Sequence, residues 1–209
     1  MKEQLLQVES LRVEFNTRDG VARVIDDLDI SLNSGEILGI VGESGCGKSM
    51  TALSIMGLVP TPPGKITSGT IHLGDENLLA AGEGRMRQVR GNDISMIFQE
   101  PMTSFSPIHT VGNQITEAIR LHSNLDKIEA NELAEDWLIR VGMSNPSQRL
   151  KQYAFELSGG QRQRAMIAMA LCTNPDVLIA DEPTTALDVT TQAQVLDLLK
   201  EMQEKVAVN

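Results

Sequence analysis

The alternation of apolar and polar positions predicts that the chain opens with two β-strands. Apolar residues alternate with polar ones over Leu6–Phe15 and again over Val21–Leu32, and turn-forming residues lie between them at Thr17–Gly20. A period of two is typical of a strand with one buried face. A short apolar run, Gly35–Val41, follows and predicts a third strand.

The remaining pattern predicts helices that alternate with strands. The predicted elements are a helix over Ser49–Leu58, a loop over Thr61–Gly69, a strand over Thr70–Leu73, a helix over Glu83–Arg90, a strand over Ile94–Phe98, a helix over Ser158–Leu171, a strand over Val177–Ala180 and a helix over Gln192–Lys205. Segment Thr110–Tyr153 has apolar residues at helical spacing and predicts a helical insertion. This alternation favours an α/β fold with a buried parallel sheet.

Composition and charge remove several classes of protein. The chain has 209 residues, of which 41% are hydrophobic, and this size suits one domain with a small inserted subdomain. Its formal net charge is −10 and it has no block of Lys and Arg, so a nucleic-acid partner is not expected. No apolar run approaches the ~18 residues of a membrane-spanning helix. Cys46 and Cys172 are too few for a disulfide framework, which favours a reducing cytoplasm.

A glycine-rich segment after the third predicted strand matches a phosphate-binding loop. Gly42–Ser49 fits G-x-x-x-x-G-K-[ST] at every fixed position and lies between a predicted strand and a predicted helix, which disfavours an ordinary glycine-rich turn. Lys48 would neutralise phosphate charge and Ser49 would supply a hydroxyl ligand for Mg²⁺. Cys46 occupies a free position and is interpreted as filler. The expected nucleotide contacts are Gly42, Glu43, Ser44, Gly45, Cys46, Gly47, Lys48, Ser49 and Met50.

Two acids follow the predicted strand Val177–Ala180. Ligands of open α/β sheets bind at the carboxyl ends of the strands, which is where Asp181 and Glu182 are expected. Alone, such a pair would be read as a solvated strand end. Together with the phosphate loop, Asp181 is predicted to be a second Mg²⁺ ligand and Glu182 to polarise an attacking water.

A third motif, Leu157-Ser158-Gly159-Gly160-Gln161, resembles the signature of the ATP-binding-cassette (ABC) family. The resemblance implies that Ser158, Gly159, Gly160 and Gln161 contact ATP held by a second ATPase subunit, identical or different. Two such domains would then enclose two ATP molecules head to tail.

The resemblance also assigns residues outside these motifs. Gln99 matches the glutamine that contacts Mg²⁺ and the attacking water, and Asp188 lies in the loop Ala186–Asp188 that would cross the dimer interface. Phe15 either stacks on adenine or belongs to the strand core. The implied fold is a P-loop NTPase (RecA-like) core, made of residues 36–64, 81–100 and 158–209. An N-terminal antiparallel β-subdomain would comprise residues 1–35 and 65–80, and an inserted α-helical subdomain residues 101–157.

One branch of the family is the most similar. Three stretches, Gly42–Gly45, Met96–Ser104 and Asp181–Gln192, resemble the ATPase subunits of dipeptide and oligopeptide importers, which also include nickel importers. The resemblance implies integral-membrane permease partners, an extracytoplasmic solute-binding protein that acts indirectly, and a peripheral location on the cytoplasmic face of the plasma (inner) membrane. Met96–Ser106 would lie near the permease contact.

The family's switch histidine has no counterpart at the expected place. His72, His109 and His122 all precede Asp181, whereas the family position lies one strand after the last helix. We therefore expect a domain that is incomplete at its C-terminus and whose hydrolysis is slowed by ~10²–10³ or more. Two alternatives to an importer ATPase remain: a catalytically impaired ATP-binding fragment, and a soluble ABC protein of DNA repair or translation.

Overall fold

The structure, a computed structural model, describes residues 4–99, 104–183 and 189–206. The chain divides into two compact units, Met1–Arg90 and Gly91–Asn209. Each unit is built around its own sheet.

The first unit contains a four-stranded antiparallel sheet in the order β2-β1-β3-β4. Its strands are β1 (Gln4–Thr17), β2 (Gly20–Asn33), β3 (Gly64–Leu73) and β4 (Glu76–Asn77). The alternation in β1 predicts one buried face, and Leu6, Val8, Leu11 and Val13 are all buried. The predicted opening hairpin is therefore confirmed, with both strands slightly longer than expected.

The ladder between β1 and β3 is irregular where the two backbones approach closely. The register shifts between Glu9 and Arg12 of β1. Opposite this shift Gly69 has a φ of +99°, and a Cβ there would lie 2.6 Å from the Leu11 Cα. Only glycine fits this combination of backbone angle and contact.

Two sequence predictions in this unit are wrong. Gly35–Val41 is not a strand: residues 36–43 are irregular, and Val41 is 94% exposed. Among the described residues no strand pairs with this segment, and an apolar run without a ladder partner has no reason to stay extended and buried. The predicted loop Thr61–Gly69 is a loop only at its start, because β1 pairs with β3 from Gly64 onward.

Two helices complete the first unit, α1 (Lys48–Ile55) and α2 (Glu83–Val89). Arg90 follows α2 and ties it to the turn after α1. Its guanidinium donates to the carbonyl oxygens of Met56, at 2.8 Å, and Gly57, at 3.0 Å, and also contacts the Glu83 carboxylate at 2.9 Å.

The second unit combines a two-stranded parallel sheet with helices. The strands β5 (Ile94–Ile97) and β6 (Val177–Ala180) pair residue by residue from Ile94 with Val177 to Ile97 with Ala180. The helices are α3 (Val111–His122), α4 (Lys127–Arg140), α5 (Pro146–Arg149), α6 (Gly159–Leu171) and α7 (Val189–Val206), with a 3₁₀ turn at Ala154–Glu156. The predicted helical insertion is confirmed as α3 to α5.

The core of the second unit lies where α3, α4 and α6 pack together. Ile115, Trp137, Leu138, Met166 and Ile167 belong to one buried cluster, which also includes Ile97 of β5. Apolar residues at spacings of three and four bury one face of each helix. The sheet therefore packs against the helical core through Ile97.

The start of α4 is fixed by a capping box. The Asp126 carboxylate accepts from the backbone N–H groups of Ile128 and Glu129, and the Glu129 carboxylate accepts from the Asp126 N–H at 2.8 Å. The helix therefore begins at Lys127. Among the described residues, no helix is both long enough and apolar enough to cross a membrane.

Replacing Trp137 should destabilise the second unit strongly. Its side chain is 2% exposed in the core and lies under the Arg140 guanidinium, 5.1 Å from the ring centroid. Trp137→Ala should lower the free energy of unfolding by ~3–5 kcal/mol in a urea titration. Ile139→Ala, on the exposed side of the same helix, should change it by less than ~0.5 kcal/mol. Equal losses in the two variants would contradict this description of the core.

Candidate functional site

The phosphate loop has the backbone geometry that its glycines predict. Gly45 and Gly47 have φ values of +83° and +98°. Gly47 is the N-cap of α1, and a Cβ there would lie 2.9 Å from the Val24 carbonyl oxygen. The Thr51 N–H donates to the Gly47 carbonyl at 2.8 Å and continues the helix. The loop therefore leads directly into a helix N-terminus, where an anion is stabilised.

Lys48 turns back onto the loop that precedes it. Its ammonium donates to the carbonyl oxygens of Gly42 and Glu43, both at 2.9 Å, and lies 3.9 Å from the Cys46 Sγ. The positive charge is thus held within the loop, where a phosphate group requires it.

A cleft of about 660 Å³ opens beside the loop in the first unit. Its walls come from β2 and residues 38–41, and it reaches Cys46, Gly47, Lys48 and Thr51. Asp26 also lines it, but a hydrogen bond from Arg23, supported by one from Arg12, lowers the pKa of this carboxyl and compensates its charge.

Phe15 is not among the residues that line this cleft. The aromatic ring is half-buried against Gly64, where a Cβ would lie 2.8 Å from the Phe15 Cζ. Its predicted stacking on adenine stays a prediction.

The carboxyl ends of β5 and β6 bring the predicted hydrolytic residues together in the second unit. The Gln99 side-chain amide donates to the Glu182 Oε2 at 2.8 Å, although the two residues lie 83 positions apart. The Asp181 N–H donates to the Ile97 carbonyl at 2.9 Å, which extends the ladder one residue beyond the strands. Gln99, Asp181 and Glu182 therefore share one edge of the sheet.

The backbone leaves β6 through a turn at Glu182. The φ of Glu182 is +47°, in the left-handed region that residues other than glycine rarely adopt. Such a conformation persists only where surrounding contacts hold it, and it is frequent at functional sites.

The signature residues form the N-terminus of α6. Ser158 is its N-cap: the Oγ accepts from the Gln161 N–H at 3.3 Å, and the Gln161 Oε1 accepts from the Ser158 N–H at 3.0 Å. Gly159 is exposed, and a Cβ there would meet nothing within 4 Å. The capping box thus fixes the start of the helix and leaves space above it for a ligand.

One buried polar contact at this edge was not predicted from the sequence. The Gln163 amide is 2% exposed and donates to the Pro183 carbonyl oxygen at 2.5 Å. The available signal was a glutamine at a core position of α6, three and four residues before the buried Met166 and Ile167.

Two predicted regions cannot be placed in full. Asp188 lies outside the described residues, and so do residues 100–103 of the predicted permease segment Met96–Ser106. The roles assigned to them stay predictions.

The fold and the site together define a P-loop NTPase of the α/β class. The structure is similar to the ATP-binding cassette MJ0796, solved as a dimer in a post-hydrolysis state with ADP and Pi, with a TM-score of 0.85, 24% identity, and coverage of 96% of this chain and 84% of that one. It is also similar to cbiO1 from Clostridium perfringens, with a TM-score of 0.77 and 26% identity over 99% of this chain and 76% of that one.

Residues 25–185 match the ABC transporter family, and the chain belongs to that family. It is 49% identical over 207 residues to the dipeptide transport ATP-binding protein DppD of Bacillus subtilis, covering 99% of this chain and 62% of DppD. It is 51% identical over 201 residues to the oligopeptide transport ATP-binding protein AppD of the same organism, covering 96% of this chain and 61% of AppD. The chain thus spans about 60% of the length of the curated relatives it matches.

The two cysteines should differ sharply in reactivity. Cys46 is exposed in the phosphate loop, whereas Cys172 is buried, and desolvation raises the pKa of its thiol to about 12. A maleimide at pH 7.5 should therefore modify one thiol per folded chain, and peptide mapping should place it at Cys46. Cys46→Ser should remove this reaction, and denaturation of the unmodified protein should expose both thiols. Rapid modification of Cys172 in the folded chain would contradict the placement of α6.

Proposed function

We propose that the chain is an ATP-binding and ATP-hydrolysing subunit that drives an ABC importer of dipeptides or oligopeptides. The observation that carries this proposal is the hydrogen bond between Gln99 and Glu182 at the carboxyl ends of two parallel strands. It joins the two residues to which hydrolysis is assigned, at the edge of the sheet where α/β proteins bind ligands.

ATP would be held first by its phosphates. The left-handed glycines of the loop and the N-terminus of α1 offer backbone N–H groups, and Lys48 offers its charge. Gly42, Glu43, Ser44, Ser49 and Met50 complete the proposed contacts with the nucleotide, and Phe15 remains the candidate for adenine stacking.

The proposed ligands suit Mg²⁺. Ser49 offers a hydroxyl oxygen, Gln99 an amide oxygen and Asp181 a carboxylate oxygen, and hard oxygen donors of these kinds are what Mg²⁺ binds. When bound with ATP, Mg²⁺ would neutralise charge on the phosphates.

Glu182 would orient the attacking water. Its carboxylate is an acceptor, so it can receive a hydrogen bond from a water and turn the water's lone pair toward the γ-phosphate. The hydrogen bond from Gln99 would hold the carboxylate in place for this task.

A second ATPase subunit would complete the site. We assign Ser158, Gly159, Gly160 and Gln161 to ATP held by that subunit, and Asp188 to the interface between the two. This assignment is supported by the exposed Gly159 and the capped start of α6.

Import of peptides is supported by the relatives whose names describe dipeptide and oligopeptide transport. The partners would be integral-membrane permease subunits, whose contact would lie near Met96–Ser106, and indirectly an extracytoplasmic solute-binding protein. The chain would then lie at the cytoplasmic face of the membrane.

We also propose the division into β-subdomain, nucleotide-binding core and helical subdomain given above.

A chain that binds ATP without turnover is the second candidate. It is favoured by the phosphate loop, because Lys48 and the N-terminus of α1 can hold phosphate groups whether or not hydrolysis follows.

Two substitutions should separate binding from hydrolysis. Lys48→Ala should weaken binding of a fluorescent ATP analogue by ~10–100-fold, because charge-assisted hydrogen bonds to phosphate are lost. Glu182→Gln should leave binding within about threefold and lower phosphate release by ~10²–10³-fold. Lys65→Ala, at an exposed lysine of β3, is the matched control and should change neither quantity.

The outcomes distinguish the two candidates. Binding that depends on Lys48 together with turnover that depends on Glu182 supports the ATPase. Binding without measurable turnover in the unmodified chain supports the second candidate. Binding that Lys48→Ala and Lys65→Ala affect equally would overturn both.

A further inference from the structure

The contact between Gln163 and Pro183 connects α6 to the edge of the sheet that carries Gln99, Asp181 and Glu182. Gln163 lies in the second turn of α6, the helix whose N-terminus carries the signature residues. Its amide is buried and donates to the carbonyl oxygen of Pro183, the residue directly after Glu182. Because a carbonyl oxygen only accepts, the donor at this position has to be the amide nitrogen of Gln163.

The backbone at this point needs restraint. Glu182 has a left-handed φ of +47°. Glycine adopts such an angle without steric cost, whereas the Cβ of a glutamate makes it unfavourable. Without restraint from its neighbours, the turn would relax toward the extended or right-handed region and carry the carboxylate with it.

Hydrogen bonds among the described residues hold the turn at three points. Before it, the Asp181 N–H donates to the Ile97 carbonyl of β5. At the turn itself, Gln99 donates to the Glu182 carboxylate. After it, only Gln163 among the hydrogen bonds described reaches the Pro183 carbonyl, and proline has no N–H that could anchor the turn through a backbone donor.

We propose that Gln163 is a positioning residue for ATP hydrolysis, which fixes the turn at Glu182 by holding the Pro183 carbonyl. The inference rests on the proposed function. Gln163 touches neither the carboxylate nor a reacting atom, so it acts through the backbone. A small displacement of a catalytic group can cost a large factor in rate while leaving ground-state binding intact.

Three variants test this role in the full chain. Gln163→Met keeps the volume and removes the donor, and should lower kcat by ~10–100-fold with KM within about twofold. Gln163→Glu presents a carboxylate to the carbonyl at neutral pH and a donating carboxyl once protonated, so its kcat relative to the unmodified chain should recover as the pH falls. Ile167→Val, at a buried position of the same helix, alters packing without changing a donor and should leave kcat nearly unchanged.

A second measurement does not depend on turnover. Hydrogen–deuterium exchange should become at least about threefold faster in the peptide that spans Asp181 and Glu182 of Gln163→Met, because the Asp181 N–H loses its protection when the turn loosens. Peptides of α6 should keep their protection, and Ile167→Val should show neither change.

Every result decides the proposal or the function on which it rests. Faster exchange together with a loss in kcat supports it. Exchange and kcat that match those of Ile167→Val overturn it, and so does either change without the other in a chain with measurable turnover. Faster exchange in a chain whose turnover does not exceed that of Glu182→Gln supports the structural role of Gln163 and refutes hydrolysis by this chain.

Discussion

The parallel pairing of β5 with β6 is the constraint that brings Gln99, Asp181 and Glu182 to one edge of the sheet. The register from Ile94 with Val177 to Ile97 with Ala180 makes both strands end at the same level. Gln99 and Glu182 can then form a hydrogen bond although they are far apart in the sequence. A shift of one residue would turn the side chains of one strand to the opposite face and separate the pair.

Two unusual backbone conformations occur among the predicted site residues, one in each unit, and they are stabilised in different ways. In the phosphate loop, Gly45 and Gly47 adopt positive φ without steric cost, so the conformation is encoded locally. At Glu182 the same region of φ is held by contacts from β5, Gln99 and Gln163. The loop thus keeps its conformation without help from distant residues, whereas the proposed position of the Glu182 carboxylate depends on the packing of α6.

The helical part of the chain was predictable because its pattern and its packing agree. The apolar spacing over Thr110–Tyr153 predicted helices, and Trp137 and Leu138 lie in their shared core. The pattern of Gly35–Val41 was equally apolar but misleading, since the segment is irregular and exposed in the first unit. Similarly, the glycines and prolines of Thr61–Gly69 predicted a loop, yet β1 pairs with the segment from Gly64 onward. Strands depend on a partner that local sequence does not reveal.

The sequence by itself determined the family, the phosphate loop and the signature, because these are contiguous motifs whose residues act through nearby backbone. It also identified Gln99, Asp181 and Glu182 as candidates. Only the tertiary structure decided that Gln99 donates to Glu182, that Glu182 occupies a left-handed turn and that Gln163 holds the residue after it. These contacts join positions on separate elements, and their geometry follows from strand register and helix packing, which no local pattern encodes.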